Sequence, residues 1–372
     1  MKILYSCLSK SWGGMEMFTV HAVSKLLDRG IYTELLCYPG SKIEEEAKKL
    51  NIVTYGIKQS GYFNFSEILK VGKLIKQNGY THIHTQASKD LWILVPALKY
   101  IGCKIPLFLT KQLGSFIIKK DFIHKFLYNR VTAAFAISEV IKRNLIETTT
   151  LNEEKIYLLH NGVDSRRFDP AKTDRIQERN RLRLKENDLV IGMLARFSSG
   201  KGHPDLLKAA NLLVKKHVNL KFLLVGEPSR GEDDFYEKIK LMVKDLNLSD
   251  NVVFTGFRKD TEQVLSAMDI FAFPSHAEAF GIALVEAMSM ELPSVCSNSD
   301  GVQDICIDNF TGLMFKNRDY IDFSQKIEEL IINPEKRKEF GENARKRVID
   351  FFDIEHLTDK VIDYYKTLGK GF

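Results

Sequence analysis

Two glutamates, Glu278 and Glu286, stand in the stretch PSHAEAFGIALVEAMSM at residues 274–290. On a helix, the neighbours of Glu286 three and four positions away are Ile282, Ala283, Ser289 and Met290, a mostly apolar face. An ionised carboxylate there is costly to bury unless donors reach it. It either closes a structural network or holds a ligand. Gly281 lets a helix begin with the N–H groups of Phe280, Gly281 and Ile282 unsatisfied, and such donors suit a phosphate or sugar oxygen. Glu278 would lie in the loop beside that helix mouth, and Glu286 leans back toward it. Two carboxylates at a bare phosphate site would repel the ligand. They make sense as acceptors for neutral hydroxyls, such as those of a sugar and a ribose, with a purely structural pair as the alternative.

A second constellation is ARFSSGKGHPDLL, where Arg196 and Lys201 flank a loop of small residues and Pro204 opens the next helix. Two cations beside a helix N-terminus suit a diphosphate. The loop is not a Walker A motif, since Ala195 stands for its first glycine and Gly202 for its Ser or Thr. Gly13-Gly14 precedes a helix and would let the backbone approach a phosphate there, or simply form a tight turn. HNGVD at 160–164 is a turn that reads as a hinge. The chain has no HExxH, DxD or CxxC, so no metal site is expected, and GEDD at 231–234 reads as a solvated helix start.

The elements that must position these residues alternate. KILYSC (2–7), TELLCY (33–38), IVTYGI (52–57), HIHT (82–85), PLFLT (106–110) and AAFAIS (133–138) read as strands, with helices at 15–30, 66–77 and 90–101. Residues 165–187 are highly charged and read as an interdomain connection. Alternation then restarts with strands at 189–195, 221–226, 252–256, 269–274 and 293–298, and helices at 204–217, 233–246, 260–267, 281–290 and 321–332. The expected fold class is α/β: two doubly wound Rossmann-like domains facing a central cleft, 1–165 and 188–352. Ligands in such sheets bind beyond the carboxyl ends of the strands, which is where the constellations fall. An apolar-patterned helix at 353–368 ends the chain.

A net charge of +6 is too mild to indicate a nucleic-acid partner. No apolar run reaches transmembrane length, and the strand-like start is too short in apolar residues for a signal peptide. Five scattered cysteines, odd in number, read as reduced, cytoplasmic thiols. The stretch SFIIKKDFIHKFLYNR (115–130) interleaves Lys119, Lys120, His124, Lys125 and Arg130 with Phe116, Ile117, Ile118, Phe122, Phe126 and Leu127. It can rest on an anionic membrane surface, giving a peripheral place on the inner face of the plasma membrane, or form a core helix with a solvated basic rim.

Taken in order, WGGMEMF, HNGVD, ARFSSGKG, SHAEAFGIALVEAM and SNSDGVQDICIDNFTGLMF (297–315) resemble the motifs of the retaining GT-B glycosyltransferases of family 4, the glycosyl transferases group 1. The resemblance covers essentially the whole chain and implies transfer of a sugar, with retained anomeric configuration, from a nucleoside-diphosphate sugar to a glycan or lipid-linked acceptor. It implies catalytic roles for Arg196, Lys201 and Glu278, with the two cations stabilising the departing diphosphate and Glu278 touching sugar hydroxyls. It implies donor contacts from Gly13, Gly14, His84, Arg258, Ala279, Phe280, Gly281, Ile282 and Glu286, the last through ribose hydroxyls. No metal or other cofactor is implied, and the last helix, with residues 353–372, would cross back to the first domain. Asp304 stands where the family usually has Glu, and Gln86 and Lys111-Gln112 where it often has histidines; His84 could equally be a packing residue. A nucleotide-sugar 2-epimerase and a non-catalytic nucleotide-sugar-binding protein are the competing readings.

Overall fold

A computed structural model describes residues 1–59, 61, 63–229 and 231–369; residues 370–372 of the expected first domain lie outside these. The chain forms two compact units, residues 1–161 with 355–372, and residues 162–354.

The first unit contains β1 (Lys2–Cys7), α1 (Gly14–Asp28), β2 (Tyr32–Cys37), α2 (Lys42–Lys49), β3 (Thr54–Gly56), α3 (Phe65–Asn78), β4 (His82–Thr85), α4 (Leu91–Tyr100), β5 (Leu107–Lys111), α5 (Phe122–Asn129), β6 (Ala133–Ala136), α6 (Glu139–Thr148) and β7 (Ile156–Leu158). Its seven strands are parallel, in the order β3-β2-β1-β4-β5-β6-β7. The strands are runs of apolar residues rather than alternating ones because both faces of a parallel sheet are covered. The sheet order reverses direction between β1 and β4, so the loops after those two strands flank this unit's crevice.

The second unit contains α7 (Arg175–Arg181), β8 (Leu189–Leu194), α8 (His203–Leu213), β9 (Leu220–Val225), α9 (Asp233–Asp245), β10 (Val252–Gly256), α10 (Thr261–Ser266), β11 (Ile270–Phe273), α11 (Ile282–Ser289), β12 (Ser294–Ser297), α12 (Val302–Ile305), β13 (Gly312–Phe315), α13 (Tyr320–Ile332) and α14 (Pro334–Phe351). Its parallel sheet runs β10-β9-β8-β11-β12-β13, reversing between β8 and β11. The last helix, α15 (Ile354–Leu368), packs on the first unit. Leu357, Ile362 and Tyr365 enter the same core cluster as Phe108 and Phe135, and Lys25 and Arg29 of α1 pair with Glu355.

The charged stretch 165–187 is not a loose connection. Arg175 and Arg179, one turn apart on α7, both pair with Asp269, at 2.5 and 2.7 Å, and donate to the backbone carbonyls of Ser266, Met268 and Ala267. Their charges are spent on carbonyls and a carboxylate within the second unit, so the stretch belongs to that unit and its boundary lies at residue 162.

Candidate functional site

In the second unit the loops after β8 and β11, the two strands at the reversal, are joined by backbone and side chains. His276 N–H donates to the Gly200 carbonyl (2.8 Å), and His276 Nε2 meets Asp205 Oδ2 at 2.6 Å. Gly202 has φ +82°, and a Cβ there would lie 2.1 Å from the Pro274 carbonyl oxygen, so only glycine lets the two loops approach so closely. Across this seam Lys201 Nζ donates to Glu278. The cation and the carboxylate assigned separate tasks are therefore each other's partner, both partly buried.

Arg196 at the end of β8 is exposed and donates from Nη1 to Ser229 Oγ at 2.6 Å. Ser229, after β9, carries no sequence signal and is found only through the sheet order. The SNSDG turn after β12 joins the same cluster: Gly301 N–H donates to the Glu278 carbonyl at 3.0 Å. The family-variant Asp304 lies in α12, where its carbonyl receives Arg347.

Helix α11 starts as anticipated. Gly281 has φ +118°, and no side chain caps the helix, whereas Asp121, Ser138, Asp174 and Asp319 cap α5, α6, α7 and α13. Phe280 is buried and Ala279 and Ile282 are partly so. Leu284 N–H turns back to the Gly281 carbonyl (3.0 Å), and the uncapped start of α11 favours an anion.

Glu286 lies one turn into α11. Its side chain forms no hydrogen bond or ion pair with any described residue. The residue surface is only partly buried, yet the carboxyl group sits deep enough that desolvation raises its pKa from 4.5 to about 7; Arg167 opposes the shift and Glu262 adds to it. Arg167 is itself held by Glu262 (2.8 Å) and the Lys259 carbonyl (2.8 Å). It was hidden from sequence reading inside the charged stretch.

Two expected donor residues have protein partners. Arg258 is occupied: it pairs with Asp260 (2.6 Å) and Glu178 (2.9 Å), tying α7 to the loop after β10. Its guanidinium donates two hydrogen bonds to Asp260 and pairs with Glu178. His84 is 1% exposed, with Nδ1 sharing a hydrogen bond with the Tyr365 hydroxyl and Nε2 with Thr110 Oγ1 at 2.7 Å. Burial lowers its pKa to about 3, so it is a neutral packing residue that anchors α15.

In the first unit Gly13 and Gly14 open α1, again without a side-chain cap. Gly13 is extended (φ −161°) and a Cβ at Gly14 would meet nothing within 4 Å, so the fold itself does not demand glycine there. The glutamines that stand for histidines form an amide network: Gln112 Nε2 donates to Gln86 Oε1 (2.8 Å), Asn161 Nδ2 donates to Gln112 Oε1 (2.8 Å), and Gln86 reaches Tyr5. It ties β4 and β5 to the HNGVD turn and carries no titratable group near neutrality. Phe116, Ile117 and Ile118 are exposed on an irregular loop, followed by α5 with Phe122 exposed; a core helix with a solvated basic rim over 115–130 does not form, and only Phe122–Asn129 is helical.

Two family models match the chain: "Glycosyltransferase Family 4" over residues 12–167 and "Glycosyl transferases group 1" over residues 174–347. The chain is 30% identical over 247 residues to the capsular polysaccharide biosynthesis glycosyltransferase CapM of Staphylococcus aureus, covering 64% of this chain and 62% of that protein. It is 24% identical over 315 residues to the UDP-Gal:alpha-D-GlcNAc-diphosphoundecaprenol alpha-1,3-galactosyltransferase of Escherichia coli, covering 81% of this chain and 79% of that one. A crystal structure of a glycosyltransferase from Rickettsia africae superposes with a TM-score of 0.91 at 24% identity, over 100% of this chain and 99% of that one. With two parallel sheets each reversing once, and group 1 and family 4 matches running through both, the chain belongs to the group 1/family 4 glycosyltransferases and has the GT-B fold.

Proposed function

We propose that the protein transfers a hexosyl group from a nucleoside-diphosphate sugar to a glycan or lipid-linked acceptor in cell-surface polysaccharide or lipopolysaccharide biosynthesis, with retention at the anomeric carbon and without a metal. One observation carries this reading: a deeply set carboxyl without a protein donor, Glu286, lies behind an uncapped helix N-terminus, in the same loop system as Arg196 and Lys201. Anion donors in front of a hydroxyl acceptor match a nucleoside diphosphate, with phosphates on the amides and ribose on Glu286.

The Lys201–Glu278 pair is then a resting contact. Donor binding turns Lys201 to the diphosphate and Glu278 to the sugar hydroxyls, so neither charge is left desolvated and unpaired. As the anomeric C–O bond to phosphate breaks, charge grows on the leaving oxygen, where Arg196, Lys201 and the α11 amides stabilise it. The acceptor oxygen bonds to the anomeric carbon on the same face, and its proton passes to the leaving phosphate oxygen. The test is incubation with UDP-, GDP- and ADP-hexoses alone, followed by NMR. Slow hydrolysis of one donor, with the released sugar first appearing in the donor's anomeric configuration, is expected; inversion at C2 would instead establish the epimerase.

Membrane attachment is part of the proposal. No described helix is long and apolar enough to cross a membrane. Leu113, Phe116, Ile117, Ile118 and Phe122 are each more than 60% exposed, beside Lys119, Lys120 and Lys125. Apolar side chains that insert and lysines that meet anionic headgroups suit a phosphatidylglycerol-containing surface. Sedimentation with phosphatidylglycerol vesicles is expected, with little on phosphatidylcholine, and the triple variant F116S/I117S/F122S should stay in the supernatant. Equal sedimentation of variant and wild type would remove the membrane from the proposal.

A further inference from the structure

Lys111 closes β5 on the side of the first unit that carries the exposed apolar loop, and it is 8% exposed. Its Nζ has one hydrogen-bond partner, the Ser88 hydroxyl at 3.2 Å, and no carboxylate among the described residues. The charge acting on it is that of a second lysine, Lys119, itself partly buried and likewise without an anionic partner. Burial, reinforced by Lys119, lowers the pKa of Lys111 to about 8. Elsewhere in the chain, cations with so little exposure are matched: Arg179 by Asp269 and Arg258 by Glu178. A buried ammonium group with no carboxylate partner, eight residues before a second partly buried lysine, is an unfavourable arrangement that an arriving anion relieves. Phe116, Ile117 and Ile118 immediately precede Lys119 and stand in solvent, so the anion that fits here continues into an apolar chain.

We propose that Lys111 and Lys119 bind the phosphate or diphosphate of an amphiphilic acceptor, whose apolar chain runs over the exposed loop; this rests on the glycosyltransferase reading and names its acceptor class. Ser88 would donate a third hydrogen bond to the same group. Lys111 is then a specificity position for an anionic acceptor.

The test is calorimetric titration of the full chain with decyl diphosphate, inorganic pyrophosphate and decyl maltoside, in wild type, K111M and K119M. Methionine keeps the apolar length of the buried stem and removes the charge, so K111M should fold. Decyl diphosphate is expected to bind, pyrophosphate at least tenfold more weakly, and decyl maltoside not at all. K111M should lose at least tenfold in decyl diphosphate affinity and K119M several-fold, while thermal stabilisation by the nucleoside diphosphate stays unchanged in both. Undiminished decyl diphosphate binding by K111M would overturn the proposal, as would pyrophosphate binding as tightly as the amphiphile, which marks a free-anion site. Loss in K111M of UDP-glucuronic acid binding, with decyl diphosphate unaffected, would also overturn it by assigning Lys111 to an acidic donor sugar. A wild type that no nucleoside diphosphate stabilises would instead remove the parent reading, whatever the lysine variants do.

Discussion

Arg196→Ala and Lys201→Ala are each expected to lower the rate of sugar transfer at saturating donor by about 10²–10³-fold, the usual loss when one donor to a developing anion is removed. Arg196 follows the end of β8 and Lys201 lies in the loop before α8, and each touches little else: Arg196 contacts Ser229, and Lys201 contacts Glu278. Folding should therefore be affected far less than turnover. Arg196 is exposed, and surface contacts of this kind contribute about 1 kcal/mol or less to stability. Lys201→Ala leaves Glu278 partly buried without its cation, so the double variant K201A/E278Q should recover stability but not rate. Because Glu278 is itself placed on the sugar hydroxyls, the double variant is compared with E278Q alone, and a further rate loss at restored melting temperature marks Lys201 as a catalytic cation. The measurement is nucleotide release under saturating donor beside a thermal melt. A rate loss below about threefold in both single variants would refute the diphosphate clamp.

Glu286→Ala should abolish the thermal shift produced by the cognate nucleoside diphosphate, and Glu286→Gln should separate binding from folding. The folded pKa of about 7 lies above the unfolded value of 4.5. Between those values the folded state holds more protons, so stability falls as pH rises through that window, and the full penalty is present above pH 7. A shift of this size corresponds to roughly 2–3 kcal/mol at this partly buried site. Glu286→Gln removes the penalty. It should match wild type below pH 4.5 and be more stable by that amount at pH 8, while binding the nucleotide more weakly because the charge-assisted acceptor is gone. Wild-type affinity for the nucleoside diphosphate should in turn fall as pH drops below 7 and the carboxylate takes up a proton. Urea melts and nucleotide titrations at pH 4.5, 6 and 8 check both arms. An unaltered thermal shift in Glu286→Ala would overturn the ribose role.

Much of this was legible in the chain because the signals are local. Runs such as KILYSC, HIHT and VVFTG are apolar and short, bounded by turns, and they appear as β1, β4 and β10 within a residue or two. The start of α11 was legible because Gly281 followed by a long apolar run leaves few other conformations. Helix α14 was missed because PEKRKEFGENARKRVIDF shows too few apolar residues for a clear period; only Phe340, Gly341, Ala344 and Val348 are buried. β7 and β13 are not read from the sequence; they lie at the edges of their sheets and pair with β6 and β12 alone.

Residue types and spacing by themselves determined two doubly wound sheets, and they singled out Arg196, Lys201, Glu278 and Glu286 in loops and a helix after strands as the residues of the proposed donor site. Only the tertiary structure decided which charged groups are already spent. Arg258, expected at the donor, is held by carboxylates; His84 is sealed under Tyr365; Arg175, inside a stretch that reads as a linker, is held by Asp269; and Lys111 is buried without an anion among the described residues. The reason is physical: what a charge does depends on its desolvation and on the partner beside it, and both come from residues far away in sequence.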